Sequence, residues 1–134
     1  LLIETIYQME EGKAARVPQN DAESSYAPML TKELCAIDFQ KPAQLVHNQI
    51  RGLSSWPCAV TKFEGKRLKV YKSALIRTEY KETPGTLVDE NRFVVVCGDH
   101  QGIMFCEVQA EGAKRMNGAD FLRGRRAKSG ILLG

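Results

Sequence analysis

Cys58-Ala-Val-Thr-Lys-Phe-Glu-Gly-Lys-Arg-Leu-Lys-Val-Tyr-Lys-Ser-Ala-Leu-Ile76 decides the fold. Apolar and polar residues alternate on both sides of Glu64-Gly65-Lys66-Arg67. A two-residue period is that of a half-buried strand, and a glycine-bearing break between two such runs marks a hairpin. Strands are therefore expected over residues 58–63 and 68–76, with Lys66 and Arg67 in the turn. Downstream, residues 86–88 form a short strand pattern and residues 93–97 are continuously apolar. Residues 103–108 come after the turn Gly98-Asp-His-Gln-Gly102. Short strands at this spacing predict a small barrel or sandwich. Gly85, Gly98 and Gly102 suit its bends and tight turns.

Upstream of the hairpin, residues 35–39 read as a short strand. A helix is expected from Pro42 to about Arg51, because a proline costs nothing in a first helical turn. It places Leu45, Val46, Gln49, Ile50 and Leu53 on one side, and Gly52 ends it. Trp56-Pro57 is a rigid corner, with Trp56 read as a core anchor rather than a base-stacking platform. After the strands, Asn117 caps a last helix, with Asp120 at its third position and Phe121 and Leu122 facing inward. The fold expected is mainly β with flanking helices, an OB-fold-like small β-barrel.

Residues 1–11 carry a helical stripe of Leu2, Ile3, Ile6 and Met9, with Gly12 placed to cap it. Residues 13–33 have no period and read as a linker, although Tyr26, Met29 and Leu30 argue that it docks partly on the domain beyond it. The chain starts inside an amphipathic pattern, without Met, as a piece of a longer protein does.

Apolar content of 43% and charged content of 26% are ordinary for a soluble globular protein. No apolar run approaches the roughly 20 residues of a membrane span, and no signal peptide is legible. Cys35, Cys58, Cys97 and Cys106 form no CxxC pair, so free thiols of a reducing compartment are expected rather than disulfides or zinc. His47 and His100 add no metal-ligand spacing and read as surface residues. Asp38 reads as a turn or cap contact, with Lys41 or Arg51 as alternative partners.

The net charge is only +3, but it is unevenly placed. Residues 1–57 hold 5 basic against 7 acidic side chains, and residues 58–134 hold 14 against 9. One basic cluster is Lys62, Lys66, Arg67, Lys69 and Lys72, interleaved with Phe63 and Tyr71. Lys69 and Lys72 are expected on opposite faces, being three residues apart. The other is Lys114, Arg115, Arg123, Arg125, Arg126 and Lys128, with Asp120 as its acidic neighbour. Such clusters suit the phosphates of a nucleic acid. Equally, lysines protect a sheet edge and arginines offset a helix dipole. No catalytic constellation, phosphate loop or metal motif is present.

Tyr26-Ala-Pro-Met-Leu-Thr-Lys-Glu33, Ala36-Ile-Asp-Phe39, Ile50-Arg-Gly-Leu-Ser-Ser-Trp-Pro57, Pro84-Gly85-Thr86, Gly98-Asp99 and Gly112-Ala-Lys-Arg-Met116 succeed one another in a recognisable order. In that order the chain resembles the C-terminal part of the methionyl-tRNA formyltransferase family, over nearly its whole length. The resemblance implies that residues 1–12 are the last helix of a catalytic domain lying upstream, 13–33 a linker, and 34–134 an OB-like domain. It implies a cytoplasmic enzyme that formylates the amino group of initiator methionyl-tRNA with 10-formyltetrahydrofolate. The family's catalytic Asn, His and Asp match no residue here, so no catalytic, cofactor or metal residue is expected. The basic clusters would hold tRNA without reading its sequence. An accessory packing domain of another formyltetrahydrofolate-dependent formyltransferase or hydrolase, binding no RNA, is the alternative.

Overall fold

Glu64 and Gly65 both take positive φ, 50° and 75°, which is what a two-residue hairpin turn matched to strand twist requires. In the computed structural model, which describes residues 1–27 and 29–134, this turn joins β1 (Ala59–Phe63) to β2 (Lys66–Glu79). Lys66 and Arg67 thus belong to β2, not to the turn, and pair with Phe63 and Lys62. The remaining strands are β3 (Leu87–Asp89), β4 (Val94–Val96), β5 (Gln101–Ala110) and the two-residue β6 (Met116–Asn117). All pairings are antiparallel, in the order β1-β2-β5-β4-β3, with β6 added beside β5. The architecture expected from the strand spacing is the one observed: mainly antiparallel sheet with helices at either end of the strand run.

The ladder is open between β1 and β3, and the C-terminal tail fills the opening. The Leu87 N–H donates to the Ile131 carbonyl at 2.8 Å, and the Leu133 N–H to the Gly85 carbonyl at 2.9 Å. The Gly134 N–H reaches the Lys62 carbonyl of β1 at 3.1 Å. Leu133 is buried beneath this strap. Unpaired strand edges invite wrong partners, so the tail has a structural reason to be apolar.

All five phenylalanines of the chain meet in the core. Phe93 lies 5.2 Å from Phe105 and stacks on Phe121 at 5.9 Å, while Phe63 meets Phe121 edge-on at 5.3 Å. Such pairs add about 0.5–1.5 kcal/mol each beyond the area they bury.

Two helices close the ends. α2 (Ala43–Leu53) buries Ala43, Val46, Ile50 and Leu53. Leu45, expected on that side, is exposed, and Gly52 lies inside the helix rather than ending it. Residues 35–39 form no strand: the short helical turn Glu33–Cys35 ends at their start, and Ala36 alone bridges to Val60. Asp38 accepts the Gln40 N–H, a turn contact. α3 (Gly118–Arg125) is capped by Asn117, whose Oδ1 accepts the Ala119 N–H at 2.8 Å, and it buries Phe121 and Leu122.

Trp56 corrects the sequence reading: it is 81% exposed, so the corner it forms is not anchored by its ring. The buried residue at that corner is Cys58, which takes φ of 80°. At the other end of the chain, α1 (Leu2–Glu10) forms as expected and Gly12 turns out of it at φ of 68°. It buries none of its stripe. Tyr26 and Met29 are likewise exposed, against the expectation of docking, and Leu30 is only half covered. Pro28 lies outside the described residues. No described helix is long and apolar enough to cross a membrane.

Gly98 is held where no side chain fits: a Cβ there would stand 1.8 Å from the Gln40 carbonyl oxygen. Gly98→Ala is expected to lower stability by about 3 kcal/mol, since the obstacle is backbone. Gly52 has open space and a helical backbone, so Gly52→Ala is expected to raise stability by about 0.5–1 kcal/mol. Urea unfolding of both variants checks the contrast.

Cys35, Cys58, Cys97 and Cys106 are free thiols. Burial pushes the Cys97 thiol up to about 12, and the Asp99 carboxylate adds to the rise. Burial raises Cys58 and Cys106 as well. A thiol with a raised folded pKa favours folding fully below its unfolded pKa, and that contribution is lost as pH climbs toward the folded value. Stability is therefore expected to fall between about pH 8.5, the ordinary thiol value, and about 12 for Cys97. Urea midpoints measured from pH 8 to 10.5 should show this fall, and Cys97→Ala should flatten it.

Candidate nucleic-acid interface

Alternation along β1 and β2 sends Thr61, Phe63, Leu68 and Val70 inward, which leaves Lys62, Arg67 and Lys69 on the outer face. Lys62 stands directly opposite Arg67 in the register, and Lys69 opposite both Val60 and Gln109. Lys66, exposed at the hairpin end, pairs with Phe63. The register then slips on both sides of Lys72: Val70 faces Val108, Lys72 faces Glu107 and Ser73 faces Phe105. This bulge keeps Tyr71 and Lys72 both outside the core while Ser73 turns in. The expectation that Lys69 and Lys72 occupy opposite faces fails for that reason: the inward positions pass from Leu68 and Val70 to Ser73, so Tyr71 and Lys72 stand outside the core in succession.

Arg115 joins this face from the loop before β6. Its guanidinium lies 4.1 Å from the Tyr71 ring centroid and 2.6 Å from Glu107 Oε2. The Tyr71 hydroxyl donates to Gln109 Oε1 at 2.6 Å. The ring and the guanidinium are thus held in place before any ligand arrives. Lys114 is exposed beside it.

The other arginines of the second cluster stand elsewhere. Arg123 pairs with Asp120 at 3.1 Å. Arg125 covers the Phe121 ring at 4.8 Å and approaches Glu64 of the hairpin turn at 3.9 Å. Arg126 ends α3 in the left-handed conformation, φ 52°. Arg126 and Lys128 flank a cleft shared with Glu90 and Asn91. Glu90 accepts the Ser129 N–H at 3.0 Å and also the Ser129 hydroxyl. The eleven basic residues therefore divide. Lys62, Arg67, Lys69, Lys72 and Arg115 share one outer face with Lys66 and Lys114 at its border, whereas Arg123, Arg125, Arg126 and Lys128 surround α3.

Sequence reasoning missed two members of the outer face. Arg51, in the last turn of α2, and His47, one turn earlier, border a groove of about 490 Å³ between α2 and the β2–β5 face. His47 is half-buried, not a free surface residue, and its Nδ1 lies 2.9 Å from Ser73 Oγ. This pair is no hydrolytic dyad: the hydroxyl is buried in a strand, and no described carboxylate hydrogen-bonds the ring to orient it. His100 is exposed in its turn, as expected. Among the described residues no group of His, Cys, Asp and Glu could hold a metal ion.

Comparison with known proteins agrees with this architecture. A family model described as "Formyl transferase, C-terminal domain" matches residues 29–126. A methionyl-tRNA formyltransferase of Trichlorobacter lovleyi is 44% identical over 99% of the chain and 42% of its own length. One of Bacillus velezensis is 36% identical over 100% of the chain and 43% of its own length. The chain thus spans less than half of the curated relatives it matches. The crystal structure of HypX from Aquifex aeolicus superposes with a TM-score of 0.59 over 90% of the chain and 22% of its own, at 20% identity; it shares the fold.

Arg115→Ala removes an exposed ion pair and a surface ring contact. Both partners of the ion pair are more than a third exposed, so solvent screening leaves the loss at about 1 kcal/mol or less. A thermal melt close to the wild type is expected, which makes the outer face open to charge variants without unfolding.

Proposed function

The chain belongs to the formyl transferase C-terminal domain family, and we propose that it is the RNA-holding end of a methionyl-tRNA formyltransferase. In this reading residues 1–12 are the last helix of the catalytic domain, 13–33 the linker, and 34–134 the domain that grips tRNA. The whole enzyme, cytoplasmic, passes a formyl group from 10-formyltetrahydrofolate to the amino group of methionine on initiator tRNA. The upstream domain supplies that chemistry, and this part by itself carries no formyl transfer. The related names support the reaction, and the outer face supports the RNA.

The observation that carries the proposal is the Lys62–Arg67 pair. Like charges set directly opposite in a sheet repel and cost stability. A phosphate laid across them removes that repulsion. Lys69, Lys72 and Arg115 extend the same surface past a fixed aromatic ring, a combination suited to a nucleic-acid backbone. Lys66 and Lys114 border this face. Arg123, Arg125, Arg126 and Lys128 offer further phosphate contacts around α3. Contacts of this kind position the tRNA and leave recognition of its sequence to other parts.

Each phosphate contact releases condensed counterions, so tRNA affinity is expected to fall steeply with salt. Reversing Lys62, Arg67 and Lys69 to Glu should weaken binding to initiator and elongator tRNAs alike, by at least tenfold at about 100 mM salt. The log–log salt slope should also become shallower by roughly two to three. Reversing Arg123, Arg125 and Arg126 should have a smaller effect, since two of them already face an acid. A salt titration on the folded variants decides it. Wild-type chain that binds no tRNA even at low salt would leave an accessory packing role in its place.

A further inference from the structure

We propose that the groove between α2 and the β2–β5 face is a pocket for a single nucleotide. In it, Arg51 and Lys72 hold the phosphate, and the Tyr71–Arg115 pair offers the flat surface for the base. The proposal deepens the RNA-holding reading and rests on it for the source of the nucleotide, a strand passing over the outer face.

The charge balance of the groove is the first reason. Three cations border it, Arg51, Lys72 and Arg115, against one carboxylate, Glu107. That carboxylate is already engaged by Arg115 at 2.6 Å. Lys72 faces the same Glu107 across the ladder, so it competes for a spent partner. Arg51 makes no ion pair among the described residues. Two cations without counter-charge lining one concavity, Arg51 from α2 and Lys72 from β2, are what an anionic group needs.

Size and shape are the second. A volume of about 490 Å³ exceeds what a bare phosphate fills and falls within the roughly 300–1,000 Å³ of small-molecule clefts. The third is preorganisation. The bulge at Tyr71–Lys72 aims both residues out of the core beside the inward Ser73. Ser73 Oγ lies 2.9 Å from His47 Nδ1, and no described group hydrogen-bonds the other ring nitrogen, which leaves it for a phosphate or ribose oxygen. Tyr71 is pinned at its hydroxyl by Gln109 and across its ring by Arg115. Unpaired bases stack on aromatic rings and on guanidinium planes alike.

The chain has only two histidines, so the imidazole proton resonances report the groove through His47 against an internal control, the exposed turn residue His100. On titrating the 134-residue protein with adenosine 5′-monophosphate, the His47 signals should move and saturate while those of His100 stay. Inorganic phosphate should do the same at least tenfold more weakly, because it leaves the aromatic surface unused. Arg51→Ala with Lys72→Ala, and separately Arg51→Gln, should raise the Kd for the mononucleotide, the double variant by tenfold or more, with melting unchanged. A His47 signal unmoved by millimolar mononucleotide, or a double variant that binds it like the wild type, would overturn the pocket. If tRNA still binds in that case, the wider RNA-holding reading survives without it. Saturable mononucleotide binding with no tRNA binding would uphold the pocket and remove the RNA strand as its source.

Discussion

One backbone contact fixes the relation between α2 and the strands. The Gly98 N–H donates to the Lys41 carbonyl at 3.0 Å, and the glycine sits so close that its missing Cβ is a requirement. The next residue completes the clamp. Asp99 Oδ1 accepts the Ala43 N–H at 3.1 Å and the Gln101 N–H at 3.2 Å. It thereby caps a helix that its own sequence leaves uncapped, since Pro42 has no suitable side chain. A carboxylate at a helix N-terminus also complements the dipole. The turn between β4 and β5 therefore determines where α2 starts. Because the apolar side of α2 lies on β2, it also determines where Arg51 and His47 stand relative to Lys72. The outer groove is a consequence of that clamp.

Much of this is legible in the chain. The hairpin at Glu64-Gly65, the apolar run at 93–97 and the Asn117 cap each arise from local chemistry, and the structure holds all three. What local chemistry cannot supply is partners distant in sequence. Nothing around Asp99 says that it caps a helix 56 positions earlier. The apolar tail at 131–133 gives no sign that it straps β3 to β1. The two-residue β6 is too short to have a period.

The misreadings have a common physical origin. Size alone assigns Trp56 to the core, yet five phenylalanines already occupy the core, and Cys58 takes the buried position at that corner. Gly52 looks like a helix stop because glycine often is one, but Leu53 still has a core to reach and carries the helix past it. Parity places Lys72 opposite Lys69, and one bulge reverses parity for everything beyond it. In each case tertiary burial overrides a rule of residue type or spacing.

The bulge also separates two kinds of cation on this protein. Lys62, Arg67 and Lys69 obey the regular pleat and present a row of flexible charges, well suited to a backbone gripped without register. Lys72 and Arg115 stand where the pleat breaks, beside a ring held from two directions. The geometry of Arg115 is defined in advance by Tyr71 and Glu107, so less conformational entropy would be lost when a ligand settles on it. A surface that combines a loose row with a fixed pocket can take a polyanion quickly through the former and hold one position of it through the latter. Long-range attraction sets the rate of encounter, whereas short-range fit sets the residence time. The same outer face therefore presents both arrangements of charge, and the break in strand regularity is what distinguishes them.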